Sequence, residues 1–231
     1  MVLPPLKEHT MPRPGKPRFE EPYLVPDDQY EDFWESIYRS LRSLKFRSPV
    51  VRKIRSYINP LFGFFGFRVH PVTQEPHYFH AGVSLDLKNN RKIYPISSGI
   101  LEYAGYGAVN GHYVLISHPD VVTEDGYALH SMYCHLKKPL IKFNSYQKML
   151  REISLGSYPL IEVPADTVLG TAATSGLSRE NHPGIYLQLS FRKYNEIPII
   201  IDPLRVYQEK KGLNTSREIS SPEEIEKMFA H

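Results

Sequence analysis

The sequence predicts a mainly β protein whose helices are gathered on its N-terminal side. Between residues 62 and 207 it breaks into short runs of alternating apolar and polar residues, punctuated by glycines and by Asn110-Gly111. Apolar residues at helical spacing are concentrated before residue 60. The 20 prolines and 16 tyrosines suit loops and strands better than long helices.

Taken in order, residues 1–26 carry seven prolines and read as an extended arm. Residues 27–61 form a helical segment. Phe33, Ile37, Tyr38, Leu41 and Leu44 recur at three- and four-residue steps and predict an amphipathic helix of about 17 residues after Asp27-Asp28. Ser48-Pro49 reads as an N-cap with proline at the first helical position, opening a second short helix over Val50, Val51, Ile54 and Ile58. Strands are expected at 83–87, 99–104, 112–118, 128–135, 167–172, 185–192 and 197–201, with a helical insertion at 144–153. Residues 208–231 form a tail in which Ser221-Pro222-Glu223-Glu224 opens a short helix.

Composition excludes several functions. The chain has 231 residues, 41% hydrophobic and 23% charged, enough to bury a core without disulfides. Its single cysteine, Cys134, excludes a disulfide framework and a cysteine-rich zinc module. A net charge of +3 is small for a dedicated nucleic-acid binder, so no nucleic-acid partner is expected. No run approaches the roughly 18 apolar residues of a membrane span, and no signal peptide is visible at the start. Charge is divided, however. Residues 1–35 hold four Lys/Arg and eight Asp/Glu, whereas residues 36–60 hold seven Lys/Arg and no acid, a basic surface open to an anionic partner or simply to solvent.

Eight of the ten histidines fall between residues 70 and 182. Residues 66–87 read GFRVHPVTQEPHYFHAGVSLDL, residues 133–136 YCHL, residues 169–192 LGTAATSGLSRENHPGIYLQLSFR and residues 202–204 DPL. In this order, across residues 62–207, they resemble the lysostaphin/LytM-like zinc endopeptidases of bacterial cell walls. The resemblance implies a twisted antiparallel β-sheet or sandwich of the duplicated hybrid-motif type, with one open groove. It also implies a place in the periplasm or cell envelope, and peptidoglycan or a cell-envelope protein as partner.

The family holds zinc with the His and Asp of an H-x-G-x-D motif and the second His of an H-x-H motif. A further His, in Y-x-H-L, and the first His of H-x-H assist the zinc-bound water. Here His80 keeps the first ligand position, Ser84 stands at the Asp position and Gln188 at the last ligand position. His135 keeps the Y-x-H-L position, and Tyr186 replaces the other catalytic histidine. Asp86 is two residues past Ser84, on the same strand face but about 7 Å further on. A zinc ion needs about three good ligands and an open position for water. One His, one Ser and one Gln do not supply them.

The resemblance thus implies a catalytically inactive relative with no cofactor, its groove (His80, Ser84, Tyr186, Gln188) kept as a binding surface. The alternative is an active zinc endopeptidase with a rearranged ligand set, His77, His80, Asp86 and His182. A third reading uses the basic residues 36–60 to bind nucleic acid or membrane. A Cys134–His135 nucleophilic pair is not expected, because strand neighbours point to opposite faces.

Overall fold

In the strand Gly184–Arg192, Ile185, Leu187, Leu189 and Phe191 are buried while Tyr186, Gln188 and Arg192 are half-buried. The period-2 pattern that predicts this strand therefore gives it two distinct faces, and the sheet is built around it. The structure is a computed structural model that describes residues 31–50, 54–58, 63–68, 78–140, 160–177 and 183–210. The arm at 1–26, the insertion at 144–153, the helix expected after Ser221, and His77 and His182 lie outside the described residues.

The strands are β1 (Gly66–Arg68), β2 (Tyr78–His80), β3 (Val83–Asp86), β4 (Lys92–Ile93), β5 (Gly99–Gly107), β6 (Gly111–Val122), β7 (Ala128–Leu136), β8 (Glu162–Val163), β9 (Gly170–Thr171), β10 (Gly184–Arg192) and β11 (Ile199–Ile201). Among the described residues the helices are α1 (Glu31–Leu41) and α2 (Pro203–Lys210), with a 3-10 turn at Ile54–Tyr57. The architecture is mainly β and antiparallel. Seven strands form one sheet along the path β11-β10-β7-β6-β5-β8, with β3 also paired to β10, and β1-β2 and β4-β9 form two small ribbons. Along one side, β10 pairs with β3 over residues 184–187 and with β11 over 189–191, while β7 runs along its other side.

One face of the sheet is the core. Val83, Leu85, Val114, Ile116, Leu129, Tyr133, Ile185, Leu187 and Leu189 pack with Ile37, Leu41 and Leu44, which follow one another at i, i+4 and i+7 down one side of α1 and its C-terminal turn. The helical segment thus shares the core of the β body. Two cations of the basic stretch bond to the chain itself at its surface: Arg39 bonds Glu35 and Glu124, and Arg47 donates to the Ala165 carbonyl and lies over the Tyr94 ring.

Several elements differ from expectation. The described part of α1 is shorter than 17 residues, because Arg42 and Leu44 turn back onto the Arg39 and Leu41 carbonyls. The expected strand at 167–172 is a two-residue ladder, Gly170–Thr171 against Lys92–Ile93, because β4 offers only two residues to pair with; the Leu169 and Ala172 N–H groups close its ends on the Ile93 and Arg91 carbonyls. Residues 203–210 are helical: Asp202 caps the Leu204 N–H (2.8 Å) and Pro203 takes the first helical position.

Candidate functional site

β3, β10 and β7 meet side by side beneath the open face of the sheet. Tyr186 lies directly opposite Ser84 on one side and Cys134 on the other. His80 arrives from β2, which is held to β1 by the pairing Gly66↔His80 and by the edge-on contact of Phe65 with Phe79, ring centroids 5.2 Å apart. Gly82 lets the chain pass from β2 to β3 under Tyr186. A Cβ at residue 82 would run into the Leu187 carbonyl oxygen and the Tyr186 ring.

The bonding of His80 fixes its tautomer. Nδ1 lies 2.7 Å from the Phe64 carbonyl oxygen, which can only accept, so Nδ1 carries the proton. Nε2 therefore offers its lone pair, and the Ser84 hydroxyl donates to it at 3.1 Å. The Tyr186 ring covers the imidazole at 5.1 Å between centroids, and its hydroxyl donates to Gln188 Oε1 at 3.1 Å. His80 is 3% exposed. The structure therefore brings His80, Ser84, Tyr186 and Gln188 into one hydrogen-bonded cluster. Asp86 sits opposite Gly184, two residues beyond Ser84 on the same face.

His135 is positioned by a device that strand alternation misses. Between the pairs His112↔Leu136 and Val114↔Tyr133, β7 has two residues where β6 has one, so Cys134 and His135 form a β-bulge. His135 has φ 63°, the left-handed region. The loop after β9 locks this bulge. The Ser175 carbonyl accepts from His135 Nδ1 (2.8 Å), while its hydroxyl accepts from the His112 N–H (3.0 Å) and donates to the Leu136 carbonyl (2.6 Å). Burial holds the His135 pKa below its ordinary value, against the opposing bond to Ser175. Sequence reasoning missed Ser175 and the Phe64 carbonyl. The Thr174-Ser175-Gly176 turn was visible as a Gly-rich segment, but a carbonyl leaves no mark in a sequence. Cys134 is fully buried and its thiol is pushed up by desolvation, so it offers no thiolate.

Among the described residues no three His, Cys, Asp or Glu side chains stand together as a metal-holding group.

No family model matches the chain. A curated protein, the peptidoglycan DD-endopeptidase ShyC of Vibrio cholerae, is 27% identical over 117 residues, which cover 50% of this chain and 24% of that protein. The match thus spans about a quarter of the relative's length. Similar solved structures include a zinc-containing peptidase from Vibrio cholerae (TM-score 0.44, 20% identity, 67% of this chain and 38% of that one). Another is the catalytic domain of lysostaphin from Staphylococcus simulans (TM-score 0.40, 17% identity, 62% and 86%). In its ordered sequence motifs, in the antiparallel sheet that carries them and in its likeness to ShyC, the chain is similar to the lysostaphin/LytM-like peptidases.

Proposed function

We propose that this protein is inactive as a metallopeptidase and uses its groove as a binding surface in the cell envelope, for peptidoglycan or a partner protein. One observation carries the reading: the lone pair that His80 would give to a metal is taken by the Ser84 hydroxyl, under the ring of Tyr186. The described donors are one imidazole, two hydroxyls and an amide, with no thiolate, carboxylate or second imidazole among them. They do not fit a zinc ion, which binds thiolate, imidazole and carboxylate. Without a bound metal nothing in this cluster lowers the pKa of a water or polarises a peptide carbonyl.

Of the rearranged set, His80 and Asp86 are described. His80 Nε2 faces Ser84, and Asp86 stands about 7 Å along the strand from Ser84. His77 and His182 lie outside the described residues.

Isolated cell-wall sacculi provide the test. The purified protein should sediment with them and release no soluble fragments. Release of fragments that a chelator abolishes would contradict the proposal.

A further inference from the structure

Past the ends of β3 and β7, three segments distant in sequence build a small basic platform. β4 pairs with β9 through Lys92↔Thr171 and Ile93↔Gly170. On the other side of β9, Leu136 pairs with Ala172, and the Lys137 N–H donates to the Thr171 carbonyl. Lys92, Thr171 and Lys137 therefore stand in one row, the two lysines two strand spacings apart, about 10 Å. The turn that leads into β4 is tied to the same row. The Asn90 N–H donates to the Ala172 carbonyl, and the Asn90 side-chain oxygen accepts from Lys137 Nζ (3.2 Å). Lys88 stands in that turn, its carbonyl accepting from the Arg91 N–H, and Lys138 follows Lys137 directly. Lys88, Lys92, Lys137 and Lys138 are all exposed. Arg91, one residue before Lys92, takes the opposite face and donates to the Tyr57 hydroxyl (3.3 Å).

The charge on this platform is one-sided. Residues 87–94, 136–140 and 168–173 hold five Lys/Arg and no Asp or Glu. The carboxylates next to them along the chain are Asp86 and Asp166, so cations remain in surplus. The far end of the sheet has the opposite character. There the β6–β7 and β10–β11 turns, joined by Lys193 over the Tyr127 ring, carry Glu124, Asp125 and Glu196. An anionic surface therefore attracts the platform end and repels the other. The kind of anion follows from the side chains around the lysines. Both nearby arginines are engaged within the chain, Arg91 on Tyr57 and Arg47 on the Ala165 carbonyl, and the Arg47 guanidinium covers the Tyr94 ring. Bidentate phosphate forks and bare aromatic faces for stacked bases, which nucleic acids reward, are thus not on offer among these residues. What stands beside the lysines is apolar. Leu140, three residues after Lys137 and held to the Leu169 carbonyl through its N–H, is 58% exposed. Exposed lysines with a leucine at their margin suit a bilayer of anionic phospholipid, which takes ammonium groups among its headgroups and an apolar side chain below them.

We propose that this platform docks the protein on an anionic phospholipid surface, with Lys88, Lys92, Lys137 and Lys138 among the headgroups and Leu140 at the acyl boundary. The contact is separate from the groove and holds whatever the groove binds.

Sedimentation with lipid vesicles provides the test. Mixed phosphatidylglycerol–phosphatidylcholine vesicles should bring the protein down, and pure phosphatidylcholine vesicles should leave it in solution. Raising the salt from about 0.1 M to about 0.5 M, which roughly halves the screening length, should weaken the binding about tenfold or more. Lys92→Gln/Lys137→Gln should weaken it about 25-fold, about fivefold for each lysine. Lys92→Arg/Lys137→Arg, which keeps the charge and guards against misfolding, should stay within about threefold of the wild type. Leu140→Ser should weaken binding about fivefold and leave the salt dependence in place. Lys193→Gln, at the far end of the sheet, should leave binding unchanged. Equal sedimentation with the two kinds of vesicle, or wild-type binding by Lys92→Gln/Lys137→Gln, overturns the proposal. So does binding of a DNA duplex or of polyglutamate through the same two lysines while the anionic vesicles leave the protein in solution.

Discussion

His80 beside the groove and His118 in the core are held in the same way. His118 Nδ1 donates to the Ser98 carbonyl (2.9 Å), and its Nε2 accepts from the Ser131 hydroxyl (2.8 Å). His80 has the Phe64 carbonyl and the Ser84 hydroxyl in the same two places. Both rings are nearly sealed from solvent, at 3% and 1% exposure. The difference lies in the serines: Ser131 is fully buried, whereas Ser84 is half-buried under Tyr186. The likeness teaches that a backbone carbonyl sets the tautomer of both rings. A histidine at a ligand position is here bonded as an ordinary buried histidine is.

The largest expected effect breaks the groove side of this comparison alone. Gly82→Ala drives a methyl group into the Leu187 carbonyl and the Tyr186 ring, so β3 and β10 must move apart. A backbone oxygen cannot step aside as a side-chain tip can, and we expect a loss of about 3 kcal/mol or more in denaturant unfolding. His118 should keep its protection against hydrogen exchange, within whatever global stability remains.

The next effect belongs to the core side and comes from acid. Burial pushes the His118 pKa down to about 4 from an ordinary 6.5, with the Ser98 bond opposing. The folded state therefore stays neutral at residue 118 while the unfolded chain takes up a proton. The stabilising contribution is complete above about pH 6.5 and is lost as pH falls towards 4, up to about 3 kcal/mol. His118→Gln should flatten the stability–pH curve between pH 6.5 and 4. An unchanged slope would show that another group governs acid unfolding.

The smallest effects come from the two serines. Ser131→Ala leaves Nε2 of His118 unsatisfied in the core and should cost about 1–3 kcal/mol. Ser84→Ala should cost less than about 1 kcal/mol, because Ser84 is half-buried and water can replace its hydroxyl. Thermal melts of both variants provide the comparison, and equal losses would mean that the groove is as dry as the core.

Much of this arrangement is legible in the sequence because strand period is legible. The alternation of Ile185, Leu187, Leu189 and Phe191 with Tyr186, Gln188 and Ser190 predicts a strand with two faces, and the pairing Tyr186↔Ser84 then places motifs a hundred residues apart side by side. What alternation cannot carry is an interruption of itself. The bulge at Cys134–His135 depends on a left-handed histidine, a backbone state that residue type hardly signals outside glycine. It is held from another segment by Ser175, 40 residues away, and no local pattern encodes such a bond. The α2 helix is a different case. Asp202-Pro203 is a helix-start signal, but without the acidic residue three positions on that makes Ser221-Pro222-Glu223-Glu224 a capping box, so the sequence pattern marks residues 221–224 more strongly.

The most direct test of the central claim is a zinc titration by calorimetry of the chelator-treated protein beside the double variant Ser84→Asp/Gln188→His. The wild type should bind no stoichiometric zinc, because Ser84 holds the lone pair of His80 and the neighbouring donors are neutral. The double variant, with a His, an Asp and a second His around the same scaffold, should bind zinc at least about 100-fold more tightly than the wild type, a difference of roughly 2.7 kcal/mol. One zinc bound per wild-type chain, removed by chelator and lost in His80→Ala, would contradict the account.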